Sequence, residues 1–542
     1  MLTLRNLHKT ALVLAVSGAM GITGAAQAAA SGSSLATVSR ATQMVSGDAI
    51  SGALSLSHPI HVTVVLKLRN AAQLQAYNAK PHQPMSRTQL AANHLPTQVQ
   101  AQAVAAFLRN AGFNNVKVSG NRMLVQADGT AALASRAFNT SLAQVRTHDG
   151  RVSFANTADI KLPGALRDSV QAVLGLQNVH QAQINVEQAQ VGTDATGHNP
   201  LDFPIIYGAS GLSPATDMNV AVWGWGSMAP TLSDLARYES DNSLPSTSTN
   251  VVCSLSGGGV ITNDPTCGTT DQGSIEWDLD SQDIVAMTGG VNSITFYAAP
   301  TGDNGLITAS LNDIINPPAG IPLASVINAS FGECERFEDS GQGGDGSAQA
   351  DDALFQIGQA QGQTFSVSTG DSGYNNCRDK PAKNSASYPA SSPYVIAVAG
   401  TTLVSTGTTY TSESEWSKSG GSPSSFELAP AWQHNRGTYA GFRGPDVAFD
   451  ADPATGAIIY VSAYGGYVQV GGTSLAAPLF AGSWARLISN GVVNTSAPAG
   501  QQLYAFPYRD FHDVTTGNNG GFVAHLGLDW ASGRGSLNLG NL

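Results

Sequence analysis

The chain has 542 residues, a net charge of −12, 12% charged residues and 59 glycines. It is too long for a single core, so two domains are expected after any processing. The composition fits a secreted β-rich or α/β protein and excludes a disordered one, and no nucleic-acid partner is expected.

Residues 1–28 carry Arg5 and Lys9, an apolar run from Ala11, and Ala-Gln-Ala before Ala29. This is the pattern of a secretory signal, and no later stretch has the roughly 18 unbroken apolar residues of a membrane span. A soluble protein exported to the periplasm or the medium is expected, with no membrane partner. Residues 29–55 are rich in Ala, Ser and Gly and read as a flexible lead-in.

Order begins at about residue 58. Residues 61–68 read as a strand, 97–108 as an amphipathic helix, 116–127 as a hairpin turning at Ser119-Gly120-Asn121, 131–138 as a second helix and 142–146 as a last strand. That βαββαβ order is the ferredoxin-like α+β arrangement. Residues 181–199 are polar and Gly/Thr-rich, a linker where cleavage would be tolerated, so the expected division is 29–190 and 191–542. Charge divides at the same place. Residues 1–190 hold 15 Lys+Arg against 6 Asp+Glu, a net of +9, whereas 191–542 hold 11 against 32, a net of −21. Electrostatic attraction between the two parts, weakening as carboxylates protonate, is expected.

Past residue 204 strands alternate with helices: 219–225, a helix near 231–238, a helix around Glu276, 293–298, 324–331, a helix 348–361, 364–368 and 394–400. The expected fold is α/β, a mostly parallel sheet with helices on both faces. All four cysteines, 253, 267, 334 and 377, fall in this part, and an even count after a signal segment implies two disulfides with three possible connectivities. Cys253–Cys267 would close a short Gly-rich loop, and Cys334–Cys377 would join two segments that each follow a strand end; this pairing is favoured. No Cys-x-x-Cys spacing exists, which argues against zinc.

Three motifs carry chemistry. In G-S-I-E-W-D-L-D-S-Q-D (273–283), Glu276 and Asp280 lie four apart and face the same way on a helix, a repulsion of roughly 0.2–0.5 kcal/mol if exposed. Ile275, Leu279, Ile284 and Val285 provide an apolar face, and a buried pair would share a proton. In T-F-S-V-S-T-G-D-S-G (364–373) an apolar strand ends on Asp371. In G-G-T-S-L-A-A-P (471–478), Ser474 opens the apolar run 475–488, at a helix N-terminus that favours developing negative charge. Alone, each motif reads as ordinary structure: a solvated face, a strand end, an N-cap.

The segment G-T-S-x-x-x-P resembles the nucleophile segment of subtilisin-like peptidases, in which a histidine is the base. None of the eleven histidines here stands in a His-Gly-Thr-type helix start. Taken together and in order, E-W-x-L-D (Glu276, Asp280), G-D-S-G (Asp371) and G-T-S-x-x-x-P (Ser474) resemble the sedolisins, the serine-carboxyl peptidases. Further similar stretches are 330–332, 388–395, 443–448 and 451–456, and residues 84–87 and 137–140 resemble the activation domain of sedolisin precursors.

The resemblance implies a subtilisin-like catalytic fold preceded by a ferredoxin-like propeptide that acts as an intramolecular inhibitor, in a monomeric zymogen acting on proteins and peptides in acid. It implies Ser474 as nucleophile, Glu276 as base, Asp280 as its orienter and a protonated Asp371 as oxyanion donor. It also implies one structural Ca²⁺ in the loop 513–535, held by the carboxylates of Asp513 and Asp529 and the carbonyls of Val514, His525 and Gly527. Two positions depart from the family pattern: His525 stands where glycine is usual, and Phe331 where tryptophan is common. Three alternatives remain: an aminopeptidase-type sedolisin, an aspartic-type peptidase, which lacks its second Asp-Thr/Ser-Gly lobe here, and a catalytically silent secreted binding protein.

Overall fold

A computed structural model describes residues 34–188, 196–268, 274–434, 437 and 439–542. The expected signal segment and the expected boundary at 190/191 lie outside the described residues.

The run P-I-H-V-T-V-V-L forms strand Pro59–Leu66, buried from Val62 onward. It lies inside a four-stranded antiparallel sheet in the order Asn114–Val118, Leu124–Thr130, Pro59–Leu66, Val170–Leu174. Helix Gln98–Asn110 packs on it through Ala101, Val104, Ala105 and Leu108, an i, i+3, i+4, i+7 stripe, and starts at a capping box of Thr97 and Gln100. The strand order and the helices Gln98–Asn110 and Ala131–Ala137 give the ferredoxin-like arrangement.

Two expectations about this half are corrected. Leu142–Arg146 is not the fourth strand of this sheet; it pairs with Ala49–Ala53 and Val152–Asn156 in a separate sheet. The fourth position goes to Val170–Leu174, which is buried at four of five residues because it also packs against helix Ser347–Ala360. The half-polar sequence L-A-Q-V-R suits a sheet with one wet face instead. Nor is the stretch before residue 55 wholly a flexible lead-in: Leu35–Ser39 pairs with Ile160–Pro163, and Ala49–Ala53 with Leu142–Arg146. Composition alone does not register that an open strand edge will recruit a polar segment.

The second half is built on a sheet whose parallel strands run in the order Ser248–Ser254, Ser293–Ala299, Asn219–Trp225, Val326–Ala329, Thr364–Ser368, Ile396–Thr406, Val447–Asp450. Val260–Thr262 and Thr409–Glu415 add antiparallel edges. Helices cover it in two sets. Ala229–Asp241, Ser274–Thr288 and Thr473–Ser489 pack together, as do Asn304–Ile315 and Ser347–Ala360. The path from Asn219–Trp225 to Ser248–Ser254 and back to Ser293–Ala299 reverses direction while both connecting helices share a face. One of the two crossovers is therefore left-handed, against the general rule. The expected strand 324–331 is broken at Ser330 into Val326–Ala329 and Phe331–Cys334, the latter leaving the sheet for another. Both favoured disulfides, Cys253–Cys267 and Cys334–Cys377, are formed.

The N-terminal sheet lies on helices Asn304–Ile315 and Ser347–Ala360. Asn121 donates to Asn312 at 2.7 Å, Gln177 to Asp345 at 3.0 Å and Gln181 to Asp303 at 2.6 Å. Among the described residues the ion pair that crosses is Glu187–Lys418 at 2.5 Å; His180 also faces Glu333 at 3.6 Å, but burial lowers the imidazole and raises the carboxyl, which favours both neutral forms. The direct contact is thus made mainly by side-chain amides, two of them donating to carboxylates, and little by ion pairs.

Candidate active site

Thr473–Ser489 starts at the end of strand Gly466–Gly471, and Gly472 makes the turn with φ of 104°. A side chain there would not fit. A Cβ on Gly472 would lie 1.9 Å from the Asn185 carbonyl oxygen and 2.5 Å from Asp371 Oδ2. Two residues on stands Ser474, buried, at the start of the helix. Pro478 lies four residues further along, so it has no N–H to give the Ser474 carbonyl. That carbonyl instead faces the Ser330 hydroxyl at 3.4 Å. The spacing Ser-x-x-x-Pro thus opens the helix wall toward Ser330.

Ser330 is the junction of the site. Its hydroxyl donates to Asp280 Oδ1 at 2.6 Å and accepts from Asn328 Nδ2 at 2.9 Å, and its carbonyl accepts from Ser474 Oγ at 3.3 Å. Glu276 and Asp280 sit one turn apart on Ser274–Thr288, both fully buried. Neither oxygen of Glu276 has a hydrogen-bond partner, and Asp280 Oδ2 has none. Burial and the neighbouring Asp280 push the Glu276 carboxyl well above its ordinary range, with the Ser474 hydroxyl and the Asn185 amide near enough to moderate the shift. Burial pushes Asp280 up to about 8, against the pull of Ser330 and Asn328.

Asp371 follows strand Thr364–Ser368 and closes the site from the other side. Its Oδ1 accepts from the Thr473 amide at 2.9 Å and hydroxyl at 2.8 Å, while the Thr473 hydroxyl accepts from Gly370 N at 3.0 Å. Its Oδ2, enclosed beside Asn185, has no partner. Desolvation pushes this carboxyl up to about 7, the Thr473 contacts acting in the opposite sense. All four predicted residues therefore meet around one point. Phe331 lies edge-on to Trp223 at 4.9 Å and to Trp225 at 5.4 Å, and Trp225 in turn meets Trp277, the neighbour of Glu276 in sequence.

The space in front of Ser474 is crossed by the chain itself. Gln183–Ile184 pairs antiparallel with Phe331–Cys334, and Glu187–Gln188 with Gly466–Gly471. Ala182 N donates to Gly302 O at 2.9 Å, and Asn185 Nδ2 to Ser368 Oγ at 3.0 Å. The first part of the expected cleavage-tolerant linker is thus an ordered strand, because two open strand edges flank the cleft. Residues 189–195 lie outside the described residues. Asn185, Ser330 and Thr473 escape sequence reasoning. The S-F-G stretch drew notice only as a resemblance, and nothing in Q-I-N-V-E marks a cleft-binding strand.

In the C-terminal loop the predicted residues are linked in two pairs, Asp513 with Gly527 and Asp529 with His525. Asp513 Oδ2 accepts from Gly527 N at 2.9 Å, and Asp529 accepts from His525 N at 2.7 Å, Ala531 N at 2.9 Å and Ser532 N at 2.7 Å. Asp513 Oδ1 is buried without a partner. Gly527 has φ of 84° whereas His525 is not among the left-handed residues, so a side chain at 525 is accommodated. An orphaned carboxylate oxygen beside a tight, carbonyl-bearing loop fits a hard cation such as Ca²⁺.

The described residues contain no helix long and apolar enough to cross a membrane. Family models match in two places: "Pro-kumamolisin, activation domain" over residues 47–179 and "Subtilase family" over residues 267–502. Sedolisin of Pseudomonas sp. (strain 101) is 39% identical over 528 aligned residues, covering 90% of this chain and 87% of that protein. Xanthomonalisin of Xanthomonas sp. (strain T-22) is 38% identical over 558, covering 90% of this chain, which spans 66% of that relative's length. Among solved structures, Pseudomonas sedolisin (serine-carboxyl proteinase), complexed with two molecules of pseudo-iodotyrostatin, aligns with a TM-score of 0.58 at 39% identity, covering 64% of this chain and 97% of that one.

Proposed function

The chain belongs to the sedolisin family of serine-carboxyl peptidases, and from that premise we propose that it is an exported, acid-acting endopeptidase made as a zymogen. Ser474 attacks the substrate carbonyl. Glu276 takes the hydroxyl proton and returns it to the leaving amine, while Asp280, anchored by Ser330, keeps Glu276 in place. Asp371 holds a proton on the oxygen that faces the carbonyl and donates it as a hydrogen bond to the developing oxyanion. One observation carries this reading. The chain's own strand 183–188 spans the cleft, with the Asn185 carbonyl oxygen beside the unpartnered Asp371 Oδ2.

The same strand supports a position for the first cut. Residues 183–184 pair on one side of the catalytic groups and 187–188 on the other, leaving the Asn185–Val186 bond between them. The N-terminal domain then acts as inhibitor and its tail as first substrate, and residues 186–190 remain for later trimming up to the boundary near 190. In the C-terminal loop, Asp513, Asp529 and the carbonyls of Val514, His525 and Gly527 would hold one Ca²⁺, which supplies positive charge between oxygen donors and stabilises that corner. A monomer and export to the periplasm or medium complete the proposal.

The test is direct. Purified full-length protein is shifted to pH 4 and followed by mass spectrometry, and the product is assayed on denatured casein from pH 3 to 8. A new N-terminus at Val186 and a maximum between about pH 3 and 5 are expected: cutting the strand admits water to the cleft, which returns the Glu276 carboxyl toward the ordinary carboxyl range, while Asp371, held up to about 7, keeps its proton. A maximum at pH 7–8 overturns the carboxylate base.

A further inference from the structure

Ala182, three residues before Asn185, faces inward from the cleft strand while Gln183 is exposed, the alternation expected of a strand. Its methyl forms one wall of a cavity of about 10 Å³, otherwise lined by Trp223, Asn304, Phe331, Glu338 and Asp351 among others. That volume is about one water molecule. The wall is polar where a cleft subsite of this kind could have been purely apolar. Trp223 Nε1 is a buried donor without a partner, and Asp351 Oδ1 a buried acceptor without one. Trp223 is 0% and Asp351 3% exposed, so neither can turn to solvent for compensation. Two residues with unmet polar atoms of opposite sense therefore line a space about the size of one water molecule, which Ala182 also lines.

We propose that this cavity is a specificity subsite selecting serine or threonine three residues before the scissile residue, with Trp223 and Asp351 as the specificity-determining groups. A hydroxyl there accepts from the indole N–H and donates to the carboxyl oxygen, satisfying both. Burial raises the Asp351 carboxyl well above its ordinary value, so in acid it is neutral and does not demand a cation. Larger side chains exceed the space. The alanine in the chain's own strand fills the subsite incompletely, which suits a segment that must leave after cutting.

This inference rests on the reading of residues 182–188 as a substrate-like strand, and the experiment separates the two. Four peptides X-Gln-Ile-Asn-Val-Glu-Gln, with X as Ala, Val, Ser or Thr, are given to the acid-activated wild type. Thr and Val have nearly the same shape, so their ratio isolates the hydroxyl. A kcat/KM about tenfold higher for Thr than for Val is expected, given the cost of leaving buried polar groups unpaired. Trp223→Phe keeps the ring and removes the N–H; it should lower the ratio of the Thr rate to the Val rate about threefold or more. Equal rates for Thr and Val in the wild type overturn the subsite and leave the cleft reading intact. Failure to cut any of the four overturns both.

Discussion

Asp446 and Glu276 are both sealed inside the catalytic half, at 1% and 0% exposure, yet their surroundings differ completely. Asp446 takes the fork of Arg443, with Nη1 at 2.8 Å, together with Ala397 N at 2.9 Å and Tyr504 OH at 3.0 Å. Arg443 in turn donates to the carbonyls of Ser392 at 3.2 Å and Val395 at 3.0 Å. Glu276 has no well-aligned donor, only the Ser474 hydroxyl and the Asn185 amide nearby, and its charged neighbours are other carboxyls. Burial by itself does not distinguish a working acid from a structural one. What separates them is whether the fold has supplied donors: satisfied acids clamp loops together, and unsatisfied ones wait for a proton or a substrate.

Substitutions should separate the two regions sharply. Ser474→Ala is expected to abolish peptide hydrolysis, by ~10⁴-fold or more, and to leave the full-length chain uncut in acid. Gel and mass analysis of the purified variant decide this, and normal maturation would show that processing needs another protease. Asp446→Asn should cost about 3–5 kcal/mol in chemical denaturation, because it strands the Arg443 guanidinium, with kcat per folded molecule unchanged. Glu276→Gln should do the reverse: kcat falls ~10²–10⁴-fold while thermal stability holds or rises, since an amide replaces a carboxyl that had no partner. If Glu276→Gln unfolds the protein as readily as Asp446→Asn, the distinction collapses.

Acidity provides a subtler contrast. The folded carboxyls of Asp371, at about 7, and Asp280, at about 8, lie above the unfolded value near 3.8. The folded state therefore binds more protons than the unfolded one across that interval. The stability these groups contribute is complete below about pH 4 and is lost as pH rises through 7–8. Melting temperatures measured from pH 4 to 8 should fall by several degrees, and Asp371→Asn should flatten part of the slope. The loop 513–535 is expected to have the least effect on chemistry. Chelator at pH 5 should lower the melting temperature, by up to about 2.7 kcal/mol equivalent if Ca²⁺ stands at 100 Kd, and Asp529→Ala should abolish the response. Equal shifts in wild type and variant would remove calcium from that loop.

Where the sequence was readable, it was because one physical constraint dominated. Glu276 and Asp280 on one helical face, Asp371 at a strand end and Ser474 at a helix start follow from period and turn chemistry, and strands 219–225 and 364–368 match their apolar runs to the residue. The N-terminal domain was legible in type but not in pairing, since L-A-Q-V-R and V-Q-A-V-L are both good strands and only contact with helix Ser347–Ala360 selects between them. Ser330 was hidden because its importance depends on Pro478, 148 positions away, denying a donor to the Ser474 carbonyl. The strand through the cleft was hidden for a similar reason. Its order is conferred by the edges it lies between, and its own residues are unremarkable.

That strand is covalently continuous with both domains, which changes the mass action of everything else that could enter the cleft. A tethered segment competes at a local concentration set by its linker, on the order of millimolar, which dilution of the protein leaves untouched. A free peptide or inhibitor therefore meets an almost closed door in the precursor and an open one after a single bond has been cut. The rate of that first event should be independent of protein concentration, whereas every later turnover is second order in enzyme and substrate.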